Sequence, residues 1–191
     1  MNIQLPAHMD KSSFLAWLQG REGRFELVEG RVLMMTGGTM AHGLIVGNVF
    51  QMLRARLDRK LLDRKTWAVL TEFGVDVGPG SIRYPDVVVV DRRGTRAKDL
   101  TTTAPAFIVE VLSPSTSAID LRDKAAEYMR LSSVTAYLIL SQDEIKAWVY
   151  AKGAADYLRS EVVDRASASI SVAALGIDLP LSEIYADVEF N

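Results

Sequence analysis

Two short runs of nearly unbroken apolar residues most constrain how this chain folds. The run VVVV (87–90) directly follows Pro85 and Asp86, and AFIVEVL (106–112) contains one charged residue, Glu110. Neither run alternates between apolar and polar residues, which is typical of strands that are covered on both faces. Such strands need a further layer on each side. The sequence therefore predicts an α/β (α+β) fold with a mixed central sheet flanked by helices.

The rest of the chain supplies the flanking elements. Apolar spacing predicts a short helix that Asp10 or Ser12 can cap, and a long helix over 41–57. FELVEGRVLMM (25–35) predicts an N-terminal hairpin. Further elements are predicted as strands over 66–77, 82–91, 106–112, 135–141 and 144–150, a helix over 120–131, and C-terminal strand additions with a short final helix. No repeat or long linker interrupts this order, so we expect one domain over 1–191 with its core at about 41–141.

Composition excludes several classes of protein. Hydrophobic residues make up 49% of the chain and charged residues 24%, which argues against disorder as the main state. The absence of cysteine excludes disulfides, thiolate zinc sites and cysteine nucleophiles. No apolar run approaches the roughly 20 residues of a bilayer span, and the start MNIQLPAHMDK does not resemble a signal peptide. We therefore expect a cytoplasmic protein.

Most common catalytic motifs are absent from the sequence. It contains no P-loop, and GPG (78–80) has the setting of a hairpin turn rather than of a dinucleotide site. Ser113 and Ser115 follow a strand, but no G-x-S-x-G surrounds them and no histidine lies downstream. An esterase that uses one of these serines with Lys124 remains an alternative, without any oxyanion-hole signature to favour it.

Three charged residues stand out because their surroundings are apolar. Asp86 opens one apolar strand, Glu110 lies inside another, and Lys124 lies on the following helix beside Tyr128. A carboxylate in a buried strand is costly unless it is paired, hydrogen-bonded or bound to a metal. If the two strands are neighbours, Asp86 and Glu110 converge, and a divalent cation would offset their mutual repulsion.

These residues carry a resemblance to a known family. Pro85-Asp86 before an apolar strand, then EVLSPST (110–116), then Asp120 and Lys124 four residues apart, resemble the PD-(D/E)XK nuclease superfamily and, within it, the small Uma-type restriction endonucleases. FELVEG, TEFGVDV and LPLSEIY extend the resemblance over most of the chain. It implies a restriction endonuclease-like fold and an endonuclease that uses Mg²⁺ or Mn²⁺ to hydrolyse DNA. Asp86 and Glu110 would bind the metal, and His42 and Glu26 occupy further family positions.

The sequence departs from the superfamily pattern at Leu112. The superfamily places its catalytic lysine two residues after the second acid, where leucine can neither donate nor accept a hydrogen bond. The resemblance therefore implies that Lys124, on the following helix, replaces it. The alternative is a catalytically inactive module on the same fold that binds nucleic acid or another protein.

Each candidate residue also has a structural explanation. Asp86 could cap a turn, Glu110 could form a buried ion pair, and Lys124 could be a solvated residue at the edge of an amphipathic helix. His42 could cap or pack in its helix, and Glu26 could be an exposed strand residue.

Basic residues provide candidate phosphate contacts. Segment 54–65 holds six basic and two acidic residues, and a second basic loop follows the strand that Asp86 opens. We expect DNA contacts from Arg54, Arg56, Arg59 and Lys60, and from Arg92, Arg93, Arg96 and Lys98. Because two cuts on a duplex need two sites, a homodimer is consistent with the resemblance, although no residue indicates one.

Overall fold

A computed structural model describes residues 5–35, 37–59, 66–112, 120–152 and 158–190. The helices are α1 (Lys11–Leu18), α2 (Met40–Arg59), α3 (Ala125–Arg130), which continues from a π-helical turn at Asp120–Lys124, and α4 (Leu181–Ile184). The strands are β1 (Arg24–Val28), β2 (Arg31–Met35), β3 (Trp67–Leu70), β4 (Gly74–Gly78), β5 (Ser81–Arg83), β6 (Val87–Asp91), β7 (Thr101–Thr102), β8 (Pro105–Val111), β9 (Ala136–Leu140), β10 (Ala147–Lys152), β11 (Leu158–Val163), β12 (Ser169–Val172) and β13 (Ile177–Pro180).

The central layer is a mixed six-stranded sheet in the order β11-β10-β9-β8-β6-β3. β8 and β9 are parallel, and the other neighbouring pairs are antiparallel. A five-stranded sheet, β2-β1-β5-β4-β7, and the β12-β13 hairpin lie beside it. This architecture confirms the predicted mixed α+β fold, and β1-β2 is the predicted N-terminal hairpin, turning at Glu29-Gly30.

Both faces of the central sheet are covered, as the apolar runs predicted. In β6, Val87 and Val89 pack with Ile45 and Val49 of α2 on one face, in a cluster that also takes in the C-terminal strands and α4. On the other face, Val88 and Val90 pack with Tyr128 and Ala125 of α3 and with strand β4. Burial on both faces explains why these strands lack polar alternation.

The predicted single strands over 66–77 and 82–91 are wrong, because each is two strands in different sheets. β3 pairs with β6 in the central sheet, whereas β4 pairs with β5 in the five-stranded sheet. Pro85 has no N–H to donate to a ladder, and Glu72 has a φ of 54°, so both sides of this long hairpin bend at the same level. The bend places Asp86 where the two sheets meet.

The ends of other elements differ slightly from the predictions. The long helix begins at Met40, and the hairpin partner of β9 runs over Ala147–Lys152 rather than 144–150. Asp10 accepts a hydrogen bond from Ser13 N at 2.8 Å, which confirms it as the cap of α1. Hydrogen bonds from Ser12 and Ser13 lower the pKa of this exposed carboxyl to about 2.

Candidate active site at the junction of two sheets

Asp86 is buried at the start of β6 and bound from two sides. Its Oδ2 accepts a hydrogen bond from the backbone N–H of Val111 at 2.8 Å, which fixes the carboxylate beside the end of β8. His42 Nε2 lies 3.3 Å from the same oxygen, and an Arg24 guanidinium nitrogen lies 3.5 Å from Oδ1. Two strands and the first turn of α2 therefore converge on this one carboxylate.

The partners of Asp86 keep it ionised despite its burial. Removal from water alone would raise the pKa of this carboxyl. The hydrogen bond and charge of His42, the Val111 amide and the Arg24 charge together outweigh that effect and hold the pKa below its usual value. Asp86 is therefore a carboxylate at neutral pH, the form that a metal ion or a general base requires.

His42 is positioned by the loop before α2. Thr39 Oγ1 accepts a hydrogen bond from His42 N at 3.2 Å and donates to Gln142 Oε1 at 2.7 Å, which ties this end of the helix to the loop after β9. A Cβ atom on Gly38 would lie 2.7 Å from His42 Nδ1, so glycine leaves room for the ring. Thr39, rather than His42, caps the helix, and the imidazole points to Asp86.

Glu110 and Lys124 form a buried ion pair on the α3 face of β8. Lys124 Nζ donates to Glu110 Oε1 at 2.9 Å and lies 3.3 Å from Oε1 of Glu26 on β1. All three residues are at most 4% exposed. The alternatives that Lys124 is a solvated residue and that Glu26 is an exposed acid are therefore wrong, whereas the buried ion pair that was the structural alternative for Glu110 is present.

Tyr128 adds a second donor to Glu110. Its hydroxyl donates to Glu110 Oε1 at 3.2 Å from a fully buried position on α3. Burial and the negative charges of Glu110 and Glu26 raise the pKa of this phenol well above its usual value, so the hydroxyl keeps its proton. Lys124 and Tyr128 lie one helical turn apart and meet the same carboxylate oxygen.

Arg83 completes the buried cluster and was not predicted. Its guanidinium donates to Glu26 Oε2 at 3.0 Å and, through two nitrogens, to both oxygens of Glu127 at 2.7 and 2.9 Å. Burial would lower the pKa of this guanidinium, but the two carboxylates outweigh it and raise the pKa. Glu26 Oε1 also accepts from Tyr84 N at 3.1 Å. Arg83 thus ties β1, β5 and α3 together around Lys124.

The structure thus brings all five predicted residues to one junction, in two linked groups. Asp86 and His42 form one group, and Glu26, Glu110 and Lys124 form the other. The backbone N–H of Val111 donates to Asp86, and Val111 directly follows Glu110 in the chain. The two groups therefore meet at the end of β8. Their functional roles remain predictions.

The donor set at this junction fits a hard divalent cation. Asp86 and Glu110 offer carboxylate oxygens from adjacent strands, and Mg²⁺ is usually held by one or two carboxylates, with waters and substrate phosphate completing the shell. Within the described part of the chain, no three histidine, aspartate or glutamate side chains are grouped as a metal cage. That is compatible with Mg²⁺, which seldom uses an all-protein cage.

Arg54 and Arg92, which begin the two basic segments, lie away from the junction. His42 is in the first turn of α2, and Arg54 lies twelve residues later, about 18 Å along the helix axis at about 1.5 Å per residue. Arg92 follows β6 at the end opposite Asp86. Arg56 and Arg93 bind Glu183 and Asp91, respectively. Lys60 lies outside the described residues, as do Ser113 and Ser115 of the esterase alternative.

No helix in the described ranges is both long and apolar enough to cross a membrane.

Comparisons with known proteins give a consistent result. A family model named Uma2 and described as "Putative restriction endonuclease" matches residues 12–182. The uncharacterized protein slr1290 of Synechocystis sp. is 24% identical over 183 residues, which cover 95% of this chain and 94% of that protein. A second protein of that organism, sll1609, is 26% identical over 124 residues, covering 61% of this chain and 66% of that protein. A crystal structure described as a putative nuclease belonging to DUF820 from Anabaena variabilis superimposes on this chain with a TM-score of 0.75 at 18% identity. The match covers 93% of this chain and 98% of that chain, so the two proteins share a fold.

Proposed function

Because the chain belongs to the Uma2 family of restriction endonuclease-like proteins, we propose that it is a Mg²⁺-dependent endonuclease that hydrolyses phosphodiester bonds in DNA. The observation that carries this proposal is the convergence of an ionised, buried Asp86 with the Glu110–Lys124 pair where two sheets meet. Stability alone does not account for so many buried charges, since a buried ion pair adds little stability over apolar packing.

The residues of the site divide the chemistry between them. Asp86 and Glu110 would hold the cation, with the backbone carbonyl of Val111 as a further ligand; when bound, it would polarise the phosphate and lower the pKa of an attacking water. Lys124 would orient that water and offset the negative charge that develops on the phosphate. Glu26 and Tyr128 fix the positions of Lys124 and Glu110, and His42 and Arg24 keep Asp86 ionised.

Cleavage of supercoiled plasmid DNA tests the proposal directly. We expect nicking or linearisation with Mg²⁺ or Mn²⁺, none in EDTA, and none with Asp86→Asn. A protein that is folded and binds the metal, yet leaves every DNA and RNA substrate intact, would instead favour the second candidate function, an inactive nucleic-acid- or protein-binding module. Leu112 is the observation behind that candidate, because it packs in the apolar cluster beside Tyr128 and Ala125.

Metal binding is expected to stabilise the protein. A ligand that binds only the folded state adds about 2.7 kcal/mol at 100 times its dissociation constant, so millimolar Mg²⁺ or Mn²⁺ should raise the Tm. Asp86→Asn should abolish that increase, whereas Asp143→Asn, on an exposed loop, should retain it. Thermal unfolding with and without each ion measures the effect. A wild-type Tm that is insensitive to both ions would exclude the metal site.

Reversing the charges of Arg54, Arg56, Arg59 and Lys60 to glutamate is expected to weaken duplex binding for all sequences alike. Each lost phosphate contact should also reduce the slope of log affinity against log salt by about 1. Fluorescence anisotropy at several salt concentrations measures both. The same reversal at Arg92, Arg93, Arg96 and Lys98 tests the second segment. Unchanged affinity in either variant would remove that segment from the DNA interface.

A further inference from the structure

A small pocket is lined in part by Arg24, which also contacts Asp86. It has a volume of about 170 Å³ and lies between the end of α1, the start of β1 and the bend that joins the two sheets. Arg24 forms the wall that it shares with the site, since one guanidinium nitrogen lies 3.5 Å from Asp86 and another lies 3.7 Å from Glu72 at the rim. The pocket and Asp86 therefore share the Arg24 side chain as a neighbour.

Aromatic side chains form part of the pocket lining. Phe25 and Tyr84 line the pocket, and behind them Trp17 packs edge-on against Phe25 with ring centroids 5.0 Å apart. The Arg21 guanidinium lies 4.3 Å above the centre of the Trp17 ring and forms another part of the lining. Flat aromatic and guanidinium surfaces of this kind stack on nucleobases, whatever the sequence.

The rim carries both a hydrogen-bond acceptor and a donor. The Glu72 carboxylate is largely exposed, while Arg24 offers guanidinium N–H groups. A carboxylate repels phosphate but accepts hydrogen bonds from an exocyclic amino group, as glutamate does from the amino group of cytosine. At about 170 Å³, the pocket is smaller than the roughly 300–1,000 Å³ of drug-sized ligand sites, which suits one ring system and not a base pair.

We propose that this pocket binds the unstacked base next to the scissile phosphate and that Glu72 and Arg24 favour cytosine over uracil or thymine there. This inference rests on the proposed nuclease function for the position of the phosphate. The pocket would be a subsite that recognises one nucleotide. Binding there requires DNA that is single-stranded, or whose base pairs are locally opened, at the cleavage position.

Binding of mononucleotides without metal tests the pocket separately from turnover. Cytidine 5′-monophosphate, uridine 5′-monophosphate and ribose 5-phosphate are titrated in EDTA into the full-length ¹⁵N-labelled protein. We expect amide shifts at Arg21, Arg24, Glu72 and Tyr84, affinity for the cytidine nucleotide about 10-fold above that of ribose 5-phosphate, and a preference of about fivefold over uridine.

Two variants sharpen the test. Glu72→Gln should bring the two nucleotides to within about twofold of each other, whereas Glu161→Gln, an exposed glutamate on β11, should keep the preference. Equal wild-type affinities for both nucleotides, shifts centred elsewhere, or equal binding of ribose 5-phosphate would each overturn the pocket proposal. DNA cleavage without cytidine binding would contradict the pocket alone. Cytidine binding at these residues without cleavage would contradict the nuclease mechanism alone.

Discussion

Replacing Lys124 with alanine is expected to abolish DNA cleavage and to lower the free energy of unfolding by about 3–5 kcal/mol. The ammonium lies 2.9 Å from Glu110 and 3.3 Å from Glu26, and all three groups are buried. Its removal leaves two carboxylates in a nearly dry site with less compensation, which is the costly way to break a buried ion pair. Loss of the group proposed to orient the water and to offset the developing charge should reduce the rate by roughly 10²–10³-fold.

The same variant should still bind the metal. Asp86 and Glu110 keep their carboxylates, and removal of a positive charge does not oppose a cation. We therefore expect Mg²⁺ to raise the Tm of Lys124→Ala as it does that of the wild type. Urea denaturation, thermal unfolding and cleavage rates, measured at a temperature where the variant is folded, separate the two effects.

Two further variants control for packing and for charge. Lys124→Met keeps much of the side-chain volume and should be as inactive as Lys124→Ala. Lys146→Ala removes a half-exposed partner of Glu144 and should change stability by less than about 1 kcal/mol. Cleavage by Lys124→Ala at the wild-type rate would show that the helix lysine does not replace the one missing at Leu112.

The buried strands could be predicted because the evidence for them is local, whereas their adjacency in the sheet was only a condition of the prediction. The run VVVV is unbroken and the segment around Glu110 holds one charge, and both are short and rich in β-branched residues, which favours buried strands over a buried helix. Once they are neighbours, Asp86 and Glu110 must approach each other, and the register Val87 to Val109 places them so. Helical spacing placed Lys124 beside Tyr128, and the family resemblance implied its catalytic role.

The sheet junction could not be predicted as easily. Pro85 was a visible sign that the strand over 82–91 is interrupted, since proline cannot pair within a central ladder. The matching bend on the other side, at Glu72, has a positive φ that the residue type does not reveal. Which sheet each half joins depends on long-range pairing of β1 with β5, through Leu27 and Ile82.

Arg83 and Arg24 were missed for a related reason. Both are single charged residues at the ends of short strands, where an arginine is usually solvated. Arg83 is 3% exposed because β1 and α3 bring Glu26 and Glu127 to it from 57 and 44 residues away in the chain. The sequence identifies the acids as unusual through their apolar neighbours, but it does not identify the cations that compensate them.

Arg83→Met is therefore expected to destabilise the protein about as strongly as loss of Lys124, by about 3–5 kcal/mol, because Glu26 and Glu127 both lose their guanidinium. Arg83→Lys should lower the free energy of unfolding by less than Arg83→Met does. Lysine keeps the positive charge but cannot form the bidentate hydrogen bonds that a guanidinium makes with two carboxylates. Arg165→Met, at an exposed position, should stay within about 0.5 kcal/mol of the wild type. Urea denaturation measures all three.

A second substitution shows whether the cost of Arg83→Met is the uncompensated charge or the lost packing. Glu26→Gln in the Arg83→Met background removes a buried carboxylate that has lost Arg83 and keeps Lys124 and the Tyr84 amide as its partners among the described residues. If charge is the cause, the double variant should regain about 1–3 kcal/mol relative to Arg83→Met, because it no longer buries a carboxylate that lacks its guanidinium partner. If it is no more stable than Arg83→Met, packing accounts for the loss, and Arg83 does not hold Glu26 in place for Lys124.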